Sequence, residues 1–481
     1  MTDTTQSETN KLPQILKLLF ILAVVVGLGV VLAQVLISPD WSEAVTYVGI
    51  SSYITTVLVN PLLGFLLWIS TSPFSRFWYL NISLGRGIPD LSLDRIAASF
   101  IMVLLLAKLA IRKRFLASLT LVDLCIVLFL IGTGLSLPLA IAGPRATLQA
   151  WFDAQIVPIV VYFLAKNLIS NKKAHKAFLI TLTFMATYLS FLVIHEQLTG
   201  NILFYPQGRT IQYTAHIRRV VGLLGNPAFF AIILGMLLPF MIYQLLESKN
   251  RRVRFFYALL NAGLVLALFL CYNRAGWVAA LLVILFMAIF YRPFRKVFLV
   301  LLLLAAIATG AFWESITGSY VVTERLTAQS PIDYRMNAID VAWRMVSSNL
   351  VFGRGYGNFG YLYAKYAQDW TQTRVLPAPH NTYMNILVSA GLAGFIPYVA
   401  IFVAIFGRGI KLWKRGAENR AINRPLLICM LSAVIVYAST IFFSDIVGSP
   451  YVTVVFFFII GAELGYQERA SRWGTPKEWL V

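Results

Sequence analysis

Charge is scarce in this chain, and acidic charge most of all. Only 12% of the 481 residues are charged, with 20 Asp and Glu against 40 Lys and Arg. Ordinary soluble domains carry about twice that charged fraction, so most of this chain does not face water. Histidine is rarer still, with four in all, and there are three cysteines. Cys125, Cys271 and Cys429 each lie in an apolar segment, so no disulfide framework and no zinc-ligand spacing is readable. They are expected to be small buried core residues. No cluster of two or three carboxylates suggests a metal site, so neither a metal nor a cofactor is expected. The chain also lacks a Gly-x-Ser-x-Gly elbow and a lysine-bearing phosphate loop.

What the chain has instead is hydrophobic length. It is 59% hydrophobic with a mean hydropathy of +0.76. Continuous apolar stretches of about 20 residues read as membrane-crossing helices, and they do not alternate as outer-membrane strands would. The expected spans are 14–37, 95–111, 118–142, 152–170, 176–194, 223–247, 255–272, 275–291, 297–312, 384–406, 426–446 and 451–466. The first is longer than a signal-peptide core and lacks a cleavage site, so an uncleaved span is expected. The fold class is therefore all-α: a polytopic bundle of about 12 spans forming one integral membrane domain over 1–481. Segment 45–70 is apolar enough to cross but breaks the count, and is expected to be re-entrant or interfacial.

The basic excess gives the orientation. Arg112-Lys113-Arg114, Lys172-Lys173, Arg251-Arg252-Arg254, Arg292-Arg295-Lys296 and the run from Arg408 to Arg424 all fall between spans. That is the positive-inside pattern, and it places both termini in the cytoplasm. It also removes nucleic acid from the expected partners, since these clusters are short and membrane-flanking. Two polar segments then face outward, 195–222 and the long loop 313–380. An ordered loop of the latter length is usually functional. Within it, Ser330-Pro331 is expected to open a helix. Its buried face would carry Ile332, Met336, Ile339, Trp343 and Val346, and Asp340 is spaced to pair with Arg344. Gly353, Gly355, Gly357 and Gly360 would follow as a turn between surface helices or as a close approach to a ligand. A second aromatic-rich helix, about 361–370, completes the loop.

The outward face also holds the residues that can do chemistry. Arg218 and Arg219 precede one span, Arg274 sits in a tight turn between two, Arg335 lies on the loop helix, and His380 closes the loop. Arginine on this side runs against positive-inside statistics and needs a carbonyl, carboxylate or phosphate to compensate it. Each arginine alone could simply snorkel to the interface, and His380 alone could be a helix-capping residue. Together they form a set of guanidinium forks suited to phosphate oxygens, beside an imidazole suited to general-base work. Asn381 adjoins His380 as a further binding candidate. His195, Glu196 and His216 could contact a glycan, His175 is expected to be solvated on the cytoplasmic side, and Asp445, at an outer hairpin, could pair with an arginine.

Four local patterns resemble the O-antigen ligase and O-antigen polymerase superfamily of bacterial membrane glycosyltransferases. They are Arg219-x-x-Gly222-x-x-x-Asn226-Pro227, Asn273-Arg274-Ala275-Gly276, Arg335 through Trp343 leading to Gly353–Phe359, and His380-Asn381-Thr382-Tyr383 leading to Gly391–Gly394. The resemblance covers about 218–400. Two positions depart from it: Ala228 stands where the family often has a second Asn, and Asn273 where it often has Ser. The resemblance implies a GT-C-like helical fold with a large periplasmic loop containing surface helices, in the bacterial inner membrane. It implies a metal-independent inverting transfer from an undecaprenyl-pyrophosphate-linked glycan to an acceptor glycan or lipid A-core, with a membrane lipid as donor carrier. His380 would be catalytic, while Arg218, Arg219, Arg274, Arg335 and Asn381 would bind substrate. Ligase, polymerase and protein-glycosylating activities share this architecture. The reading from a different class is a polysaccharide or lipid transporter or flippase without catalysis. Such a protein would more often carry its polar groups at mid-bilayer and show two similar halves.

Overall fold

The computed structural model describes residues 49, 52–76, 92–111, 117–203, 212–213, 217–320, 322, 330–367 and 377–473. The expected span 14–37, His216 and the residues 368–370 of the second loop helix lie outside them. Contacts divide the chain into two units, Met1–Trp68 and Ile69–Val481.

The chain is a helical membrane protein. Its helices are α1 (Pro61–Thr71), α2 (Leu93–Ile111), α3 (Leu121–Gly134), α4 (Pro144–Trp151), α5 (Val157–Leu168) and α6 (Lys172–Thr199). There follow α7 (Pro227–Glu247), α8 (Arg251–Leu270), α9 (Arg274–Phe290), α10 (Arg292–Ala311), α11 (Trp313–Thr317) and α12 (Ser330–Ser347). The last four are α13 (Phe359–Tyr366), α14 (Thr382–Arg415), α15 (Arg424–Thr440) and α16 (Pro450–Trp473). Among the described residues the strands are one two-residue pair, β1 (Gln212–Tyr213) and β2 (Arg218–Arg219), with Gln212 opposite Arg219. Among the described residues, seven helical segments are long and apolar enough to cross a membrane, and Pro61–Phe74, α9 and α15 are shorter apolar helices. Every expected span from 95 onward falls on a helix. Segment 45–70 is helical over 52–59 and again from Pro61.

α16 and α7 form the enclosed centre. Their most apolar stretches are 89% and 72% buried, against 17% for α8, which faces outward. Lipid offers no hydrophobic drive between helices, so packing relies on small residues that let backbones approach. Gly461 and Gly465 of α16 do this: a Cβ would lie 2.4 Å from the Tyr162 carbonyl oxygen and 2.5 Å from that of Lys166. Buried charges at the same end are paired. Lys166 Nζ lies 2.6 Å from Asp123 Oδ2, and Arg408 Nε donates to Glu468 at 2.8 Å. His175 belongs to this network. It is buried, 2.9 Å from Glu463, with its ring stacked on Tyr466. Its expected solvation is corrected, because the first turn of α6 packs inward on α16.

α14 is broken at Gly391, whose φ of 60° is the left-handed region. The polar backbone freed by the break cannot go unpaired at membrane depth. The glycine-rich loop supplies its partners. Arg354 N donates to Val388 O at 2.6 Å and Gly355 N to Ser389 O at 3.1 Å. In return, Leu392 N reaches Leu350 O at 2.8 Å and Ala393 N reaches Val351 O at 3.0 Å. A Cβ on Gly391 would lie 2.3 Å from Val351 O, and one on Gly353 would lie 2.5 Å from Val388 O. The close approach of Gly353 is thus to the broken helix, while a Cβ on Gly355 would lie 2.5 Å from the Leu139 carbonyl oxygen.

The buried face of α12 matches expectation at Val346, which is fully buried, and differs from it elsewhere. Ala338, Val341, Ala342 and Met345 pack with Phe359, Tyr363 and Val388, whereas Met336 and Trp343 are 61% and 57% exposed. The inward stripe is turned by about one residue, or 100°. Two alanines let α12 lie close against α14, which the larger side chains would prevent. Asp340 and Arg344 pair as expected.

Candidate functional site

The non-basic end of the bundle is built on a repeated local device. α7, α9 and α14 each start from an asparagine cap. Asn226 accepts from Ala228 N, Asn273 from Gly276 N and Asn381 from Met384 N. The residue before each cap is left-handed: Gly225 at φ 71°, Tyr272 at 46° and His380 at 49°. Tyr272 and His380 are the non-glycine residues with positive φ among those described. For a bulky side chain this conformation is an outlier, and such strain gathers at functional sites. The turn changes the chain direction immediately before the helix.

His380 is exposed on its outer side and meets Tyr334 of α12 edge-on, with ring centroids 5.5 Å apart. Among the described residues its ring makes no hydrogen bond. Its pKa is lowered from the ordinary histidine value, first by desolvation and then by the positive charge of Arg335. The imidazole is therefore neutral at neutral pH and free to accept a proton. Arg335 is half-buried and makes no hydrogen bond or ion pair among the described residues. Its pKa is also lowered, by desolvation and then by Arg274. It remains a cation at neutral pH. Three residues from three separate segments thus interact: Arg274 with Arg335, and Arg335 with His380. Two mutually repelling guanidiniums beside an imidazole form an anion-seeking arrangement.

The Arg218–Arg219 strand is tied to the same helix end. Gln197 Nε2, in the last turn of α6, donates to Arg218 O at 2.8 Å and to Leu270 O at 3.2 Å. Leu270 ends α8, four residues before Arg274. Beside it, Glu196 Oε1 accepts from Val221 N at 2.9 Å. One helical turn thereby clamps both arginine-bearing segments. The Arg218 guanidinium is turned to the Gly200 carbonyl at the end of α6. Asn381 is buried and its side-chain oxygen is engaged in the cap, which leaves its amide NH2.

Beneath His380 runs a polar stripe that sequence reasoning missed. Thr382 Oγ1 donates to Ser444 O at 2.9 Å and accepts from Ile446 N at 3.1 Å. Asn385 Nδ2 donates to Asp445 Oδ2 at 2.7 Å, and Ser389 Oγ donates to Asn385 Oδ1 at 3.2 Å. Thr382, Asn385 and Ser389 recur at helical spacing in an otherwise apolar helix, and that was the available signal. Asp445 takes Asn385 and Val447 N as partners, where an arginine was the candidate. Burial pushes its pKa up to about 6. His195 lies in α6, with Thr199 Oγ1 donating to its backbone carbonyl. Among the described residues, no three His, Cys, Asp or Glu side chains are grouped to hold a metal ion.

Residues 256–399 match the family model described as O-antigen ligase. That segment carries Arg274, Arg335, His380 and the glycine-rich loop. The chain is also similar to the O-antigen ligase of Salmonella typhimurium, 27% identical over 227 residues, covering 40% of this chain and 54% of the relative. The match thus spans about half the relative's length. A polytopic helical bundle, the four motifs in order and both likenesses support the resemblance of this chain to the O-antigen ligase and O-antigen polymerase superfamily.

Proposed function

We propose that this protein is a membrane glycosyltransferase that moves a glycan from an undecaprenyl-pyrophosphate carrier to an acceptor hydroxyl at the periplasmic face. The acceptor is a glycan or lipid A-core, so the activity is that of an O-antigen ligase or a polysaccharide polymerase. The observation that carries the proposal is the electrostatic coupling of Arg274 to Arg335 and of Arg335 to His380, with Arg335 lacking any carboxylate partner among the described residues. The family likeness and the name of the Salmonella typhimurium relative support the same reading.

In this reading His380 takes the proton of the acceptor hydroxyl as its oxygen attacks the anomeric carbon. The bond from that carbon to the pyrophosphate oxygen breaks, inverting the centre, and the lipid pyrophosphate leaves. Arg274 and Arg335, together with Arg219, would meet the negative charge growing on the leaving group. Preorganised donors at such a point usually supply the largest share of rate enhancement. The low pKa of His380 suits a base that must be unprotonated before it acts. Tyr334 limits the swing of the ring. The test is an assay of the purified protein in lipid nanodiscs, with an undecaprenyl-pyrophosphate-linked glycan and alternative acceptors. Transfer that depends on the lipid-linked donor and is lost in His380→Ala is expected. Full transfer by that variant removes the base assignment, and no transfer by the wild type to any acceptor removes the activity.

A further inference from the structure

The opposite end of the bundle holds a second cationic site that the transfer reaction does not use. Arg424, the first residue of α15, lays its guanidinium over the Trp413 ring at 4.1 Å. Its Nε is buried without a hydrogen-bond partner, and it makes no ion pair among the described residues. Two adjoining cavities, of about 540 and 570 Å³, share Arg424, Pro425 and Glu247 in their walls. The first adds Arg292 and Arg295, and the second adds Lys172 and Arg420. Arg295 is occupied by the Ala288 and Ile289 carbonyls at the end of α9. Lys172, Arg292 and Arg420 make no hydrogen bond or ion pair among the described residues. The sole carboxylate lining both cavities, Glu247, accepts the Tyr291 hydroxyl at 2.8 Å.

This contrasts with the buried charges a few residues away. Lys166, Arg408 and His175 each have an acid. The cavity cations have none, although both cavities are of ligand size. A guanidinium fixed on an aromatic face with its fork unspent is pre-organised for a phosphate. An apolar path leads away from it. Val278, Leu282, Leu285 and Ile289 are all exposed along one face of α9. Eleven residues of helix span about 16 Å, enough for most of an acyl chain. Basic pockets between membrane helices at this level are suited to anionic headgroups.

We propose that the Arg424–Trp413 cavities bind the headgroup of an anionic membrane phospholipid, with its acyl chain along α9. Free phosphate would satisfy the cations but not the apolar path. The test is native mass spectrometry of the purified full-length protein, supplied with equimolar phosphatidylglycerol and phosphatidylcholine. Wild type is expected to retain phosphatidylglycerol about tenfold over phosphatidylcholine, and the Arg292→Gln/Arg424→Gln variant to lose that preference. Lys414→Gln/Arg415→Gln, at two exposed cations outside the cavities, should keep it. Should the first variant fail to fold, Arg292→Gln and Lys172→Gln singly are each expected to weaken retention several-fold. Equal retention by wild type and the folded cavity variants overturns the proposal, as does equal retention of the two lipids. Sodium phosphate at millimolar concentration should leave the lipid in place. If it displaces the lipid fully, the site takes free anions and the lipid assignment fails. None of these outcomes depends on glycan transfer.

Discussion

His175 and His380 both stand beside the capped start of a membrane helix, at opposite ends of one bundle, and their surroundings could hardly differ more. His175 is buried against Glu463 and stacked on Tyr466. His380 is exposed, touches Tyr334 edge-on and has a guanidinium for its electrostatic neighbour. The first ring is spent on holding α6 to α16. The second is unspent. A histidine near a helix start therefore says little by itself, and the sign of the nearest charge decides whether it braces the fold or is left to react.

The largest expected effect separates the two rings directly. His380→Ala should lower transfer by about 10²-fold or more, the usual contribution of a positioned base, with an unchanged melting temperature. His175→Ala should do the reverse, leaving turnover per folded molecule intact while destabilising by about 1–3 kcal/mol, because Glu463 loses a buried partner. Parallel thermal melts and transfer assays distinguish them.

Next in size is Arg335→Gln. Removing a cation from the leaving-group side should cost about 10²-fold in transfer. It should also raise the His380 pKa, since the positive neighbour is what helps to depress it. The acid limb of the pH–rate profile, set by protonation of the base, should therefore move to higher pH. An unmoved limb with a rate loss would mean that Arg335 and His380 do not sense each other. Gln197→Leu tests the clamp behind the arginines. It is expected to cost about tenfold in transfer, with most of the loss in donor KM, and Gln197→Glu should restore little because a carboxylate cannot donate to the two carbonyls.

The smallest effect concerns Asp445. Its folded pKa of about 6 lies above the ordinary carboxylate value of 3.8. A raised folded pKa favours the fold at low pH, and that contribution is lost as pH rises through about 6. Asp445→Asn should therefore raise the melting temperature modestly at pH 7.5 and leave it unchanged at pH 4. Equal effects at both pH values would remove titration as the cause.

Much of this was legible in the chain itself. Hydropathy located the helices from 95 onward, because a bilayer imposes one length on every crossing. Positive-inside clusters assign each loop a side, which is why Arg219, Arg274, Arg335 and His380 were expected at one face; among these, Arg274 is coupled electrostatically to Arg335 and Arg335 to His380. The α12 face was misjudged because periodicity counted bulk and the structure buries Ala338 and Ala342. His175 was misjudged because its partner is 288 residues away on α16. Composition does not reveal such a pairing. The Thr382–Asn385–Ser389 stripe went unread because three polar residues scarcely dent the hydropathy of a long helix.

The hydrogen bonds between Leu350–Gly355 and Val388–Ala393 weld the extramembrane loop to the helical segment that follows His380. Loop and half-helix thus form one interlocked cassette, with those hydrogen bonds as its seam. Grafts between relatives that stop at the histidine would cut through that seam. Grafts that run from about 330 to 395 would carry both halves of it, and are the ones expected to insert, fold and transfer acceptor preference.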